Sequence, residues 1–345
     1  MEELVLHTGR QTSKILLGET IGNLSRYLPE KGKTIVVTDK NVYAHYRKEL
    51  SAWPVIVISP GEKHKTLSAI DRIIGELIKH EADRTSFLVG VGGGIVCDIA
   101  GFAASVFMRG IRFGFVSTTL LSQVDASVGG KNGVNYKGYK NMVGVFNQPV
   151  FVICDFAMLK TLPRREFVAG MAEIIKHGAI KSRTYFDYIE ENYSKALRYD
   201  AGVIERLVKE SVLIKAAVVE ADEREAGERR KLNFGHTTAH AIEKITSAYH
   251  HGEAVAIGMV VAAHLSVKKG LLPAAEAQRL SSLIERTGLP VSLKGINKKK
   301  LFDAFRKDKK RDQEVIHFVL LKQLGEAVIE EITLNELEQQ LYDLC

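Results

Sequence analysis

The sequence predicts an α/β domain with a mostly parallel sheet, followed by an all-α domain. Three observations carry this. From about Lys33 to Asp155, short runs rich in Val, Ile and Phe alternate with helical ones. A glycine-rich turn, GVGGGIVCDIAGF (residues 90–102), joins an apolar run to a helical one. After TLPRRE (161–166), helical periodicity takes over almost without interruption. The boundary is placed between residues 160 and 161, giving domains 1–160 and 161–345.

TIVVTD (34–39), VIVIS (55–59), FLVGVGGG (87–94), FGFVSTT (113–119) and VFVICD (150–155) read as buried strands. They are short, β-branched, and several end in Gly, Asp or Thr. LSAIDRIIGELIKH (67–80) spaces its apolar residues as a helix does. Strands separated by helices imply βαβ units, with ligands expected at the strands' C-terminal ends. In the second domain the helical runs are FVAGMAEIIKHGAI, GVIERLVKESVLIKAAVVEADE, TTAHAIEKI, GEAVAIGMVVAAHLSVKK and AAEAQRLSSLIERTG. Gly and Pro punctuate them, as in KKGLLP and TGLP. Only HFVLL (317–321) resembles a further strand.

Composition narrows the function classes. Three cysteines, Cys97, Cys154 and Cys345, are too few for a disulfide framework, which points to a reduced, cytoplasmic protein. MEELVLHTGR lacks a signal peptide's basic start and apolar run. The most apolar stretch, AVAIGMVVAA (254–263), has about half the length a membrane span needs. Residues 298–311 hold eight basic and two acidic residues, hence +6 of the net charge of +7. A nucleic-acid binder spreads such charge along a face with aromatics to stack on, so neither nucleic acid nor membrane is an expected partner.

The local chemistry is of three kinds. Glycines in the 90–102 turn let a backbone approach a pyrophosphate, and free N–H groups at a helix start attract its charge. The run lacks the G-x-G-x-x-G order, and a purely structural turn explains it nearly as well. VDASVGGKNGVN and YKNMVG set Lys131, Lys140 and Asn141 beside paired glycines, as a phosphate-holding segment or as a solvated surface loop. AEIIKH places Glu173, Lys176 and His177 on one helix face, NFGHTTAH supplies His236 and His240, and YHHGE supplies His250, His251 and Glu253. One carboxylate and two histidines would suit a catalytic zinc with an open fourth position. Spacing alone leaves open whether His236 and His240 are a metal pair, a ligand and something else, or ordinary helix residues.

In order along the chain stand PGEKHK, GGGIVCDIAGF, MRG, STTLLSQVDASVGGK, KN, TLPRRE, AGMAEIIKHG, DEREAGERRKLNFGH, HGEAVAIGM and a late DKK before FVLL. So ordered, they resemble the 3-dehydroquinate synthase family over almost the full length. The resemblance implies a dehydroquinate synthase-like fold with an N-terminal nucleotide-binding domain. It implies an enzyme using NAD and a divalent metal, zinc or alternatively cobalt, and a homodimer. The substrate would be a phosphorylated sugar acid, 3-deoxy-D-arabino-heptulosonate 7-phosphate. It would become 3-dehydroquinate and phosphate by transient oxidation, β-elimination of phosphate, re-reduction and aldol closure, a shikimate-pathway step. Other sugar-phosphate cyclases keep the metal and NAD motifs and are the nearest alternative; a metal-dependent polyol dehydrogenase and a non-catalytic nucleotide-binding protein stand further off.

The resemblance places the metal on Glu173, His236 and His251. It places NAD on Asp39, on Glu62, Lys63, His64 and Lys65, and on Gly94, Ile95, Val96, Cys97 and Asp98. The NAD set continues with Thr118, Thr119, Lys131, Lys140, Thr161, Leu162, Pro163 and Arg164. Substrate contact and catalysis fall to Arg109, Asp125, Lys131, Asn141, Lys176, Lys215, Glu225, Arg229, Asn233 and His240, with Lys309 or Lys310 from the late DKK. The sequence departs from the family's usual residues at Cys97 (Gly), Asn132 (Thr), Tyr139 (Gly) and Thr238-Ala239 (Phe-Gly). None removes a metal, phosphate or acid–base group, but the shapes of the nicotinamide and substrate pockets depend on them.

Overall fold

The computed structural model describes residues 1–9, 11–293, 295–306, 311–312 and 315–342. The chain forms two compact units, one of Met1–Pro163 with Ile204–Glu223, the other of Arg164–Val203 with Arg224–Cys345.

The first unit is built on a seven-stranded sheet. Its strands are β1 (Glu2–Thr8), β2 (Gln11–Leu17), β3 (Thr34–Asp39), β4 (Val55–Ile58), β5 (Phe87–Gly92), β6 (Arg112–Ser117) and β9 (Phe151–Cys154). They run in the order β1-β2-β9-β6-β5-β3-β4, and only the β1–β2 pair is antiparallel. Every residue of β5 is buried, as a central parallel strand covered on both faces requires, so its sequence is a continuous apolar run. Helices α1 (Lys40–Tyr46), α2 (Leu67–Lys79) and α3 (Gly94–Val106) follow β3, β4 and β5. Thr66 caps α2 by accepting from the Ala69 N–H, and Ile70, Ile73 and Leu77 form its buried stripe. The chain leaves β3 in one direction for β4 and returns on its other side for β5. The topological switch point therefore lies at the C-terminal ends of β3 and β5, where Asp39 and Gly94 stand.

The segment read as a glycine- and lysine-rich loop is a hairpin instead. Strands β7 (Lys131–Tyr136) and β8 (Tyr139–Phe146) pair antiparallel across a two-residue turn, Lys137-Gly138, whose φ values of 47° and 81° are both positive. Such turns match strand twist, and NYKGYK carries that signal. From Ile204 on, the long helix α6 (Ala201–Ala221) also belongs to this unit.

The second unit contains α4 (Arg164–Lys181), α5 (Arg183–Ala196), α7 (His236–Ile245), α8 (His251–Lys268), α9 (Ala274–Arg286), α10 (Lys298–Arg306) and α11 (Leu334–Tyr342). Its helical character was expected, but it also carries a small antiparallel sheet of β10 (Arg311–Asp312), β11 (Val315–Gln323) and β12 (Glu326–Thr333). HFVLL lies in β11, the central strand. Helix α8 is buried nearly all round, which explains the apolar stretch 254–263 without a membrane. Among the described residues no helix is long and apolar enough to cross one. Two glycines let α8 approach its neighbours. A Cβ on Gly252 would sit 1.9 Å from the Ala169 carbonyl of α4, and one on Gly258 would sit 1.9 Å from the Gly235 carbonyl that opens α7.

Candidate functional site

At the switch point of the first unit, Asp39 ends β3 and accepts from the Asn41 and Val42 N–H groups at 2.8 and 3.1 Å, fixing the start of α1. Beside β5, Gly94, Ile95 and Asp98 remain partly open at the start of α3, whereas Val96 and Cys97 turn into the core. Burial pushes the Cys97 thiol far up and that of Cys154 up to about 12, so neither is a reactive thiolate at neutral pH. Cysteine in place of glycine at position 97 thus fills core space.

Lys65 is 4% exposed and gathers this region. Its ammonium is ion-paired with Asp98 and donates to Asn141 Oδ1 at 2.5 Å. Burial pushes the Asp98 carboxyl upward, against the downward pull of Lys65. Asn141, in the left-handed region at φ 49°, is held from behind by Asn135, whose Oδ1 accepts its N–H at 2.9 Å. Asn135 also donates to Glu62 Oε1 at 2.8 Å. One network thus links Glu62, Lys65, Asp98 and Asn141. Lys63, Lys131 and Lys140 are exposed, and His64 is half-buried. Thr118 donates its N–H to the Gly92 carbonyl at 3.0 Å, and Thr119 accepts from the Ser122 N–H at 3.1 Å, so the STT stretch folds back on the end of β5. Thr161 lies 2.9 Å from the Tyr46 hydroxyl; Leu162 and Pro163 follow it as the last residues of this segment of the unit. Arg164 opens α4 in the second unit and donates to the Leu197 carbonyl at 2.7 Å.

Two further groups of the first unit have distinctive local geometry. Met108 and Arg109 both have positive φ, 48° and 68°. For non-glycine residues each costs roughly 1–3 kcal/mol, strain that is kept at functional sites more often than elsewhere. Lys215 of α6, 6% exposed, donates to Asp125 Oδ1 at 2.5 Å and to the Asp125 carbonyl.

Asn132 does not disturb the glycine pair before Lys131; it fixes it. Its side chain is 4% exposed and donates to the carbonyls of Gly130 at 3.0 Å and Asn147 at 2.8 Å. Tyr139 is 46% exposed at the hairpin turn, remote from the core.

In the second unit, α4, α7 and α8 bring Glu173, His236 and His251 together, one donor atom from each within 4.8 Å of the others. Glu173 Oε1 lies 3.8 Å from His236 Nε2 and 4.0 Å from His251 Nε2. The Glu173 side chain is fully buried, and neither carboxylate oxygen takes a hydrogen bond among the described residues, although Oε2 is ion-paired with Lys176. A buried carboxylate in that state is costly, and a cation held jointly with two imidazoles would satisfy it. His250 has other work: its backbone N–H donates to Glu253 Oε2 at 2.8 Å and its Nδ1 lies 3.1 Å from Glu166. His240 stacks edge-on to His236 with ring centroids 5.7 Å apart, and it is not in the three-residue cluster. Thr238 and Ala239 are fully buried, so the departures between the two histidines alter packing behind α7. Asn233 donates to the Glu225 carboxylate, and Glu225 itself holds φ 62°. Arg229 is 2% exposed nearby in sequence. Lys309 and Lys310 lie outside the described residues.

The sequence profile of the 3-dehydroquinate synthase N-terminal domain matches residues 55–169, and that of the C-terminal domain matches residues 170–311. The chain belongs to the 3-dehydroquinate synthase family. A 3-dehydroquinate synthase of Symbiobacterium thermophilum is 44% identical over 315 residues, 88% of each chain. Among solved structures, a 2-deoxy-scyllo-inosose synthase complexed with carbaglucose-6-phosphate, NAD+ and Co2+ superposes with a TM-score of 0.90 at 26% identity, covering 100% of both chains. A 2-epi-5-epi-valiolone synthase from Streptomyces hygroscopicus subsp. jinggangensis, with NAD+ and Zn2+ bound, gives 0.90 at 25% identity over 98% of both. Within the 3-dehydroquinate synthase family match, the Lys65 network falls in the N-terminal half and the Glu173 cluster in the C-terminal half.

Sequence reasoning missed the residues behind these. Asn135 holds Asn141, and Glu243 lies 3.0 Å through its Oε1 from His251 Nδ1. Glu243 had a signal: with His236 and His240 it completes an i, i+4, i+7 polar stripe on α7.

Proposed function

We propose that this enzyme converts 3-deoxy-D-arabino-heptulosonate 7-phosphate into 3-dehydroquinate and phosphate, the 3-dehydroquinate synthase step of the shikimate pathway. The observation that carries the reading is the Glu173–His236–His251 cluster in a chain of this family. Those three residues hold a divalent metal, zinc or in its place cobalt, in keeping with the ions in the two related cyclases. NAD lies along Asp39, Glu62–Lys65, Gly94–Asp98, Thr118, Thr119, Lys131, Lys140 and Thr161–Arg164. When bound, NAD supplies reversible hydride acceptance and the metal supplies Lewis-acid polarisation of a substrate oxygen.

The remaining work is that of the chain. A substrate bearing carboxylate and phosphate needs fixed cations, and Arg109, Lys131, Lys176, Lys215 and Arg229 are the candidates to supply them. The Lys65 network holds Asn141 in its left-handed conformation before substrate arrives. Lys215 is aimed by its ion pair with Asp125. His240 and the Glu225–Asn233 pair hold and move protons. The other sugar-phosphate cyclases share this fold at 25–26% identity, well below the 44% to a 3-dehydroquinate synthase.

Incubated with the heptulosonate phosphate, the purified enzyme is expected to release phosphate without net NADH. Stoichiometric NADH would mark a dehydrogenase, and phosphate release from glucose 6-phosphate or sedoheptulose 7-phosphate alone would mark another cyclase. The protein is further proposed to be a cytoplasmic homodimer. Met142 and Phe146, exposed at 43% and 47% on one face of β8, offer apolar surface for a second copy. Sedimentation of the protein from a soluble cell fraction at the 38.2 kDa mass of one chain, and not at about twice that, would refute the dimer.

A further inference from the structure

Each of the two clustered histidines engages its far ring nitrogen differently. His236 Nδ1 lies 3.2 Å from the Phe234 carbonyl, a neutral acceptor two residues back. His251 Nδ1 lies 3.0 Å from Glu243 Oε1, a carboxylate on another helix. The Glu243 side chain is 6% exposed against 34% for His251, so the anion is the more enclosed member of the pair. The contact depends on α7 and α8 lying close, which Gly258 permits by taking the Gly235 carbonyl against its bare Cα.

We infer that Glu243 is a positioning residue for metal binding: it fixes His251 with the proton on Nδ1 and the Nε2 lone pair turned toward Glu173. A carboxylate accepting from Nδ1–H selects that tautomer and makes Nε2 a better donor. Helix α7 then serves the cluster twice, giving His236 directly and orienting His251 through Glu243 two turns on. The inference rests on the metal reading proposed above, and it adds a residue to it. It also explains how a half-exposed histidine at the first position of a helix, where side chains are free to swing, presents one nitrogen to the cluster.

The test is metal affinity. The purified protein is stripped, and zinc binding is measured by competition with a chromophoric chelator for the wild type, Glu243→Gln and Glu243→Asp. Cobalt(II) visible absorption is recorded in parallel, as are thermal midpoints of the stripped proteins. Glu243→Gln is expected to weaken zinc binding about 10- to 100-fold and to change the cobalt spectrum, with Glu243→Asp recovering part of the affinity. A merely structural role would lower the stripped protein's thermal midpoint and leave affinity and spectrum as they were. Wild-type and Glu243→Gln proteins of equal affinity would overturn the role of Glu243 alone. A wild type that fails to bind zinc stoichiometrically would overturn the metal site beneath it. Should Glu243→Gln not fold, Glu243→Asp decides, since unchanged affinity and spectrum there overturn the inference.

Discussion

Glu173→Gln is expected to strip the enzyme of its metal and reduce turnover by about 1000-fold or more. The change keeps the side chain's shape and removes its charge. Among the described residues, Glu173 is the carboxylate grouped with both His236 and His251, and its Oε1 faces both Nε2 atoms. Lewis-acid stabilisation is worth several kcal/mol, and each 1.4 kcal/mol or so is tenfold in rate, which sets the scale. The glutamine variant is preferred to alanine because Lys176 is 1% exposed and ion-paired with Glu173. Either variant loses the charge of that ion pair, but glutamine keeps an amide oxygen that can accept from the ammonium, and alanine does not. Metal content by elemental analysis and phosphate release by a coupled assay check the result. A variant with stoichiometric zinc and near-normal turnover would remove Glu173 from the site. The same logic predicts that a strong chelator silences the wild type and that zinc or cobalt restores it.

That cluster was only partly legible in the sequence. Its residue types and the one-helix relation of His236 to His240 can be read from the chain. What brings α4, α7 and α8 together cannot, because it rests on Gly252 and Gly258 surrendering their side-chain volume to carbonyls far away in sequence. The choice of His251 over His250 came from family resemblance; the structure supplies a physical reason, since His250 caps α8 and meets Glu166. The buried parallel strands were legible because both their faces are apolar. Strands β1 and β2 escaped notice because a half-exposed sheet-edge hairpin alternates polar and apolar residues weakly. β12, EAVIEEIT, is too rich in glutamate to declare itself, yet it pairs along most of β11. Glu243 shares the polar stripe of His236 and His240, but a stripe does not tell a solvated carboxylate from one that is 6% exposed against His251.

His240→Ala separates two readings of the same four-residue spacing. A metal pair would place both imidazoles on one ion, and the variant would then lose zinc. The geometry favours division of labour. Glu173 Oε1 lies within 4.0 Å of a nitrogen of His236 and of His251, and among the described residues the group that could hold a metal with them does not include His240. His240 instead meets the His236 ring edge-on one turn further along α7, half-buried. The variant is therefore expected to keep one equivalent of metal and to lose about 10²- to 10⁴-fold in kcat, the range for removing a proton-transferring group. Loss of metal with the rate would make His240 a ligand, and retention of both would leave it a spectator. The spacing serves the first outcome physically: an i, i+4 step holds a metal ligand and a proton carrier on one rigid face. The distance between them is then set by the helix itself, independently of the loops.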